Sequence, residues 1–525
     1  MSNLTPAPRA RTSLSSELLV ASLLLAWFAA TAWARPLLLP DEGRYVGVAW
    51  EMLRSGHWLV PTLDGLPFFH KPPLFYWLTS AALSVGGLNV WAARASAILA
   101  ATCATFACYR FVTRWQGARS ARLATVALAA QTFWYLGAQF ANMDMLVAGC
   151  ITVTIVLLAH AALSLEAGGR FRSALIGAWL AAGLGVLAKG LIGFVLPAMV
   201  VGLWLIALGR WRTMLRLLSL PGIVLMLGVC APWFIAVDRQ FPGFMHYFFV
   251  TQHFDRFAKS GFNNVQPVWF YPVVILVFSL PWWPWLLRSL RLAPAAAPDK
   301  AIRLLLLIWV VAIVGFFSIP RSKPLGYVLP AVPPMALLAA MGFELAERAG
   351  RSRAGAWALS VTLSVVLGLG AIAVFSLHPA HSTRELALAL ASARRPGEPV
   401  VMLYQYDYDV PFYARLSHPV HVVEEWSSER IRQGDSWNKE LSDAGDFDPA
   451  LARKLLITPS QLTAVLCSSP RSWVLGTDAH AAQFPFLAHA AVLTSARGQH
   501  LWRVEAGSGD QARALGCASA ASGAP

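Results

Sequence analysis

Apolar runs of roughly 17 to 25 residues, each long enough to cross a hydrocarbon core of about 30 Å, recur from Leu18 to about Phe375 and are separated by short polar connections. They predict spans near 17–35, 91–110, 120–140, 145–164, 173–188, 191–208, 214–236, 268–287, 303–318, 325–345 and 355–377. The stretch 73–87 breaks the alternation. A crossing there would exchange the sides of Asp144 and of the basic cluster at 110–122, so it reads as re-entrant, as interfacial, or as half of a further pair of crossings. From about His378 the pattern changes to short β-rich runs, such as Pro399 to Leu403, between polar turns. The expected architecture is a polytopic α-helical membrane protein over 1–377, with about 11–13 transmembrane helices. A soluble α/β domain is expected over 378–525.

Composition agrees with a bilayer as the main solvent: the 525 residues are 57% hydrophobic and 13% charged, with a mean hydropathy of +0.55. A net charge of +15 would suggest nucleic acid in a soluble protein. Here the basic residues sit in the connections: Arg9/Arg11, Arg110/Arg114/Arg119/Arg122, Arg170/Arg172, Arg210/Arg212/Arg216, Arg288/Arg291/Lys300/Arg303 and Arg348/Arg351/Arg353. That is the positive-inside pattern, which puts these connections in the cytoplasm and excludes a nucleic-acid partner. The first apolar segment lacks a small-residue cleavage site leading into a soluble chain and is expected to be a retained span. Of the six cysteines, Cys103, Cys108, Cys150 and Cys230 lie in apolar segments. Cys467 and Cys517 fall in the terminal domain, where they can pair if it is extracytoplasmic.

With the amino terminus inside, the loops 36–72, 141–144, 189–190, 237–267 and 319–324 open on the outer face. They hold nearly every unusual polar residue. In Asp41-Glu42-Gly43-Arg44-Tyr45, Asp41 is a suitable N-cap for an amphipathic helix with Val46, Ala49, Trp50 and Leu53 on one face, expected to lie on the membrane surface. Asp144 starts a span on the same side, where an ionisable group is costly. Lys71, Lys189, His253, Arg256, Arg321 and Lys323 also face outward. Outer cations run against the charge rule, and an anionic ligand supplies a reason for them. Capping by Asp41 and interfacial anchoring by Lys71 and its aromatic neighbours are the plainer alternatives.

These residues resemble the lipid A aminoarabinose transferases, within the GT-C glycosyltransferases that use polyprenyl-phosphate sugars. The resemblance covers about residues 15 to 375. It rests on Asp41 to Tyr45, Trp58 to Gly65, Lys71-Pro72-Pro73-Leu74 with Tyr76-Trp77, Asp144, Ala188-Lys189-Gly190, His253 to Phe257, and Arg321-Ser322-Lys323 with Tyr327. It implies an inverting transfer of a sugar, 4-amino-4-deoxy-L-arabinose or another amino sugar, from undecaprenyl phosphate to a phosphate of lipid A on the periplasmic face of the inner membrane. Asp41 would be the main catalytic carboxylate, with Asp144 as its partner and Glu42 beside it. Lys71, Arg256 and Tyr327 match the positions that hold the carrier phosphate, and Arg44, Tyr45, Lys189, Arg321 and Lys323 are further candidates for it. Family members often carry a glutamate where this chain has His70; that carboxylate is linked to metal binding and to the amino sugar. His70 and His253 are therefore the candidate ligands of a divalent metal, with both metal and sugar left open.

The chemistry is self-consistent. A leaving polyprenyl phosphate is stabilised by preorganised cations and a phenol, and an acceptor phosphomonoester with its second pKa near about 6 needs no general base. A hydroxyl acceptor would need one. Asp41 and Asp144 would then orient the donor, hold a cation or bind an amino group. A related transferase moving a hexosamine or neutral hexose to another acceptor is the alternative within the class. A transporter is the alternative outside it, although transporters gather polar residues at the bilayer midplane.

Overall fold

The computed structural model describes residues 13–255, 264–292, 294, 296–350, 353–379, 382–434, 436–507 and 509–517, without the side chains of 253–255, 433, 509 and 510. Its contacts divide the chain into two compact units: Met1–Arg35 with His70–His378, and Pro36–Phe69 with Pro379–Pro525.

The first unit is helical. Among the described residues seven helices are long and apolar enough to cross a membrane: Ala95–Trp115, Met143–Glu166, Arg172–Lys189, Leu220–Gln240, Ala297–Ser318, Leu325–Arg348 and Ala354–Leu377. The apolar runs dictate them, since in lipid only a helix satisfies its own backbone. The expected span 268–287 is a pair, Phe270–Phe278 and Leu280–Arg291, bent by 67°. Pro281 cannot donate to the preceding turn, which explains the break. The expected span 120–140 is divided into Ala118–Ala130 and Thr132–Ala138 at Gln131, whose buried amide donates to Ser279 Oγ at 3.3 Å. Leu14–Ala29, Leu74–Gly86 and Ile192–Ala207 are apolar but shorter. Leu74–Gly86, with 13 residues, is about 20 Å long, well under the hydrocarbon thickness.

The second unit holds a hairpin, β1 (Thr62–Leu63) and β2 (Leu66–Pro67), and a six-stranded sheet. The sheet's strands are β3 (Val400–Leu403), β4 (His421–Val423), β5 (Leu456–Ile457), β6 (Arg471–Thr477), β7 (Ala491–Ala496) and β8 (Gln499–Glu505), in the order β5-β4-β3-β6-β8-β7. The first four strands in that order are parallel neighbours, β8 adds antiparallel to β6, and β7 adds antiparallel to β8. β3 reads Val-Val-Met-Leu and is buried at all four positions, as a central strand covered on both faces must be. Val401, Leu403, Val423, Ile457, Val474 and Trp502 form the core. Cys467 and Cys517 are joined by a disulfide.

A boundary at 377/378 leaves Pro36–Phe69 with the helical unit, whereas its contacts place it with the terminal sheet. The reason is polar as well as apolar. The Val420 N–H donates to buried Asp64 Oδ1 at 2.8 Å, and the Leu37 N–H donates to the Tyr413 hydroxyl at 2.8 Å. Glu51 fixes the hairpin to the helix Asp41–Ser55, accepting from Thr62 Oγ1 (2.8 Å) and from the N–H groups of Asp64 (2.7 Å) and Gly65 (2.9 Å). Burial raises the pKa of both carboxyls, and for Asp64 the neighbouring Glu51 adds to it.

Candidate active site

In the second unit, the cluster begins where Pro40 caps the helix Asp41–Ser55 and Asp41 takes its first position. Asp41 is thus not the N-cap expected from sequence; it occupies the first turn, where the helix dipole favours a carboxylate. Nor does this helix expose a polar face as a surface helix would: Glu42, Gly43, Arg44, Val46, Gly47, Val48, Ala49, Glu51 and Met52 are all buried. Gly43 and Gly47, one turn apart, allow the approach. A Cβ on Gly43 would stand 3.0 Å from Asp409 N and 3.1 Å from Tyr408 Cβ, and one on Gly47 would stand 3.3 Å from the Tyr408 carbonyl oxygen.

Arg44 follows Asp41 by one turn, and its guanidinium donates both to Asp41 Oδ1 and to Glu440 Oε1. It lies 4.8 Å from the Tyr45 ring centre and 5.7 Å from that of Tyr408. The Arg44 side chain is 11% exposed and that of Asp41 44% exposed, so the cation is enclosed while the carboxylate is open. Arg44, a candidate for the carrier phosphate, is therefore committed to two carboxylates. Tyr45 is half-buried against it. Glu42 is fully buried and accepts the Leu38 N–H at 2.9 Å, which ties the helix start to the preceding chain. That is a structural duty rather than an exposed catalytic one.

In the first unit, Asn142 caps the helix Met143–Glu166. Its Oδ1 accepts the Asp144 N–H at 3.0 Å while its amide donates to Asp144 Oδ2 at 3.2 Å. Lys189, the last residue of Arg172–Lys189, forms an ion pair with Asp144 Oδ1. The helix stops there because Gly190 takes a φ of +88° and the chain doubles back. The returning helix crosses so closely that a Cβ on Gly193 would land on the Gly185 backbone. The Lys189 ammonium stands 4.2 Å from the Tyr327 ring centre, and a Cβ on Gly326 would land on the Asp144 carboxylate. Asp144, Lys189 and Tyr327 thus form one cluster, half-buried or better. Lys189 is half of a neutral pair rather than a free phosphate ligand.

The remaining candidates divide. Lys71 is half-buried just before Leu74–Gly86, and Arg321 is exposed. Lys323 is buried and donates to the carbonyl oxygens of Pro320 and, at 3.0 Å, Gln266, so it holds its own loop together. His70 is buried, with its ring 5.9 Å from that of Tyr247. His253 has its backbone in the π-helical segment His246–Asp255, but its side chain and all of Arg256 lie outside the described residues. Among the described residues no group of three or more His, Cys, Asp or Glu side chains is placed to hold a metal ion. Asp41 and Asp144 each face a cation. Sequence reasoning missed Glu440, Tyr408 and Asn142; only Asn142, directly before an acidic helix start, carried a visible capping signal.

Residues 70–235 match the family model described as dolichyl-phosphate-mannose-protein mannosyltransferase. The undecaprenyl phosphate-alpha-4-amino-4-deoxy-L-arabinose arabinosyl transferase of Erwinia tasmaniensis is 30% identical over 71% of this chain and 69% of its own length. The enzyme of the same description from Pseudomonas aeruginosa is 32% identical over 59% of this chain and 56% of its own length. The crystal structure of ArnT from Cupriavidus metallidurans bound to undecaprenyl phosphate has a TM-score of 0.78 and 23% identity, covering 94% of this chain and 98% of that one. That likeness gives the fold, GT-C type with a terminal sheet.

Proposed function

The chain belongs to the undecaprenyl phosphate-aminoarabinose arabinosyl transferase family, and from that premise we propose that it transfers 4-amino-4-deoxy-L-arabinose from undecaprenyl phosphate to a phosphate of lipid A. It is a multi-pass membrane glycosyltransferase, which sets the transporter alternative aside. We place it in the bacterial inner membrane, with the reacting groups and the second unit on the periplasmic side. The Cys467–Cys517 disulfide supports that side, because such bonds persist in oxidising compartments.

The observation that carries the reading is the open Asp41 carboxylate on a fixed cation. The acceptor phosphate is already largely a dianion at neutral pH and attacks the anomeric carbon from the face opposite the leaving group. The sugar–oxygen bond to the carrier breaks, undecaprenyl phosphate leaves with the electron pair, and the configuration inverts. No proton has to be removed from the acceptor, so Asp41 serves to bind and orient the sugar, its ammonium group above all. Lys71, Arg256 and Tyr327 hold the carrier phosphate, with Asp144 and Lys189 setting the position of Tyr327. No step is routed through a metal.

A second reading follows from His70. A buried imidazole beside Tyr247 supplies no fixed anion to an amino sugar, which favours a neutral hexose. Purified protein in nanodiscs, offered each undecaprenyl-phosphate sugar with lipid A and with or without EDTA, separates the cases. Transfer of aminoarabinose alone, unchanged by EDTA, is expected. Transfer of only a neutral hexose would establish the second reading, and loss with EDTA would restore a metal.

A further inference from the structure

Resting on the transferase reading, we propose that Glu440, in the terminal sheet unit, is a positioning residue for the reaction: it shares Arg44 with Asp41 and so keeps the Asp41 carboxylate oriented. Glu440 lies in the first turn of Trp437–Gly445, a helix capped by Ser436, whose Oγ accepts the Lys439 N–H at 3.3 Å. An acidic residue favours that turn, but this one turns its charge on Arg44. Its side chain is 21% exposed, against 11% for Arg44 and 44% for Asp41, so Asp41 is the more accessible of the two carboxylates.

Rigidity makes this more than a tie between segments. Arg44 is flanked by the Tyr45 and Tyr408 rings, and the Tyr408 hydroxyl donates at 2.6 Å to the carbonyl of Trp437, the residue that begins the helix bearing Glu440. The guanidinium is thereby held by aromatic faces and by two carboxylates, with its fork fixed in direction.

The test uses the full chain in nanodiscs with the lipid-linked sugar donor and lipid A, comparing wild type, Glu440→Gln, Glu440→Asp and Arg44→Gln with Glu440→Gln added. Removing one charged hydrogen-bond acceptor from an enclosed guanidinium predicts a fall in kcat of about 10- to 100-fold for Glu440→Gln. KM for the donor should change less than kcat, because Glu440 acts through Arg44 and Asp41. Glu440→Asp should keep more activity than the closer isostere Gln, and Glu440→Gln should add little once Arg44 is gone. Amide exchange in Tyr45–Ala49 should rise in Glu440→Gln while that of β3 stays unchanged. Full kcat in Glu440→Gln, or a loss that Asp does not mitigate, overturns the proposal. If wild-type protein transfers no sugar at all, the functional reading fails, and exchange still decides this one: unchanged exchange at 45–49 overturns the positioning.

Discussion

Replacing Lys189 by Met strands Asp144. The two side chains are 10% and 13% exposed, the carboxylate sits at the mouth of an apolar helix, and the Asn142 amide at 3.2 Å is left to accompany it. Removing one partner of a buried pair costs about 3–5 kcal/mol. The Asn142 contact favours the lower end, about 3 kcal/mol. Adding Asp144→Asn removes the stranded charge, so the double variant should regain most of the lost stability. It should not regain sugar transfer, because Tyr327 has lost the ammonium against its ring. The assay is equilibrium unfolding in mixed micelles alongside transfer measured in nanodiscs. Lys189→Met as stable as wild type, or a double variant with full transfer, would refute the reasoning.

Other outcomes follow from the same geometry. Gly326→Ala drives a methyl into the Asp144 carboxylate, and a loss of transfer of about tenfold or more with the protein still folded is expected; unchanged transfer would mean that Asp144 does not matter where it stands. Cys467→Ser opens a disulfide of sequence separation 50, worth about 4 kcal/mol by loop entropy, and should expose the sheet unit to protease. Burial, with the neighbouring Asp409 adding to it, pushes Asp407 up to about 7, and burial pushes Asp409 up to about 6. These groups bind protons in the folded unit that the unfolded chain releases. The sheet unit should therefore lose stability as pH rises from about 4 through 7 and level off above, and Asp407→Asn should flatten that curve in hydrogen exchange of β3.

The sequence pattern showed the helices well, because an apolar run in lipid has one way to satisfy its backbone. It singled out the charged loop residues too, Asp144 and Lys189 among them. It did not show that they pair: they are 45 residues apart, and the turn at Gly190 decides where the ammonium goes. The transfer of Pro36–Phe69 to the sheet unit was harder still to see. Asp64 and Arg44 find partners 356 and 396 residues away, so Asp64 stood only within the run that carries the resemblance and Arg44 read as a phosphate ligand. Lys323, conspicuous as a cation in the sequence, donates to backbone carbonyls, which the sequence did not reveal.

The most direct measurement is mass spectrometry of lipid A from cells with the gene intact, deleted, or carrying Asp41→Asn. The account predicts a phosphate-linked aminopentose increment with the intact gene, absent from the deletion and lost or strongly reduced with Asp41→Asn at equal protein level. Lipid A identical in all three strains, under conditions where the protein is made, would contradict it.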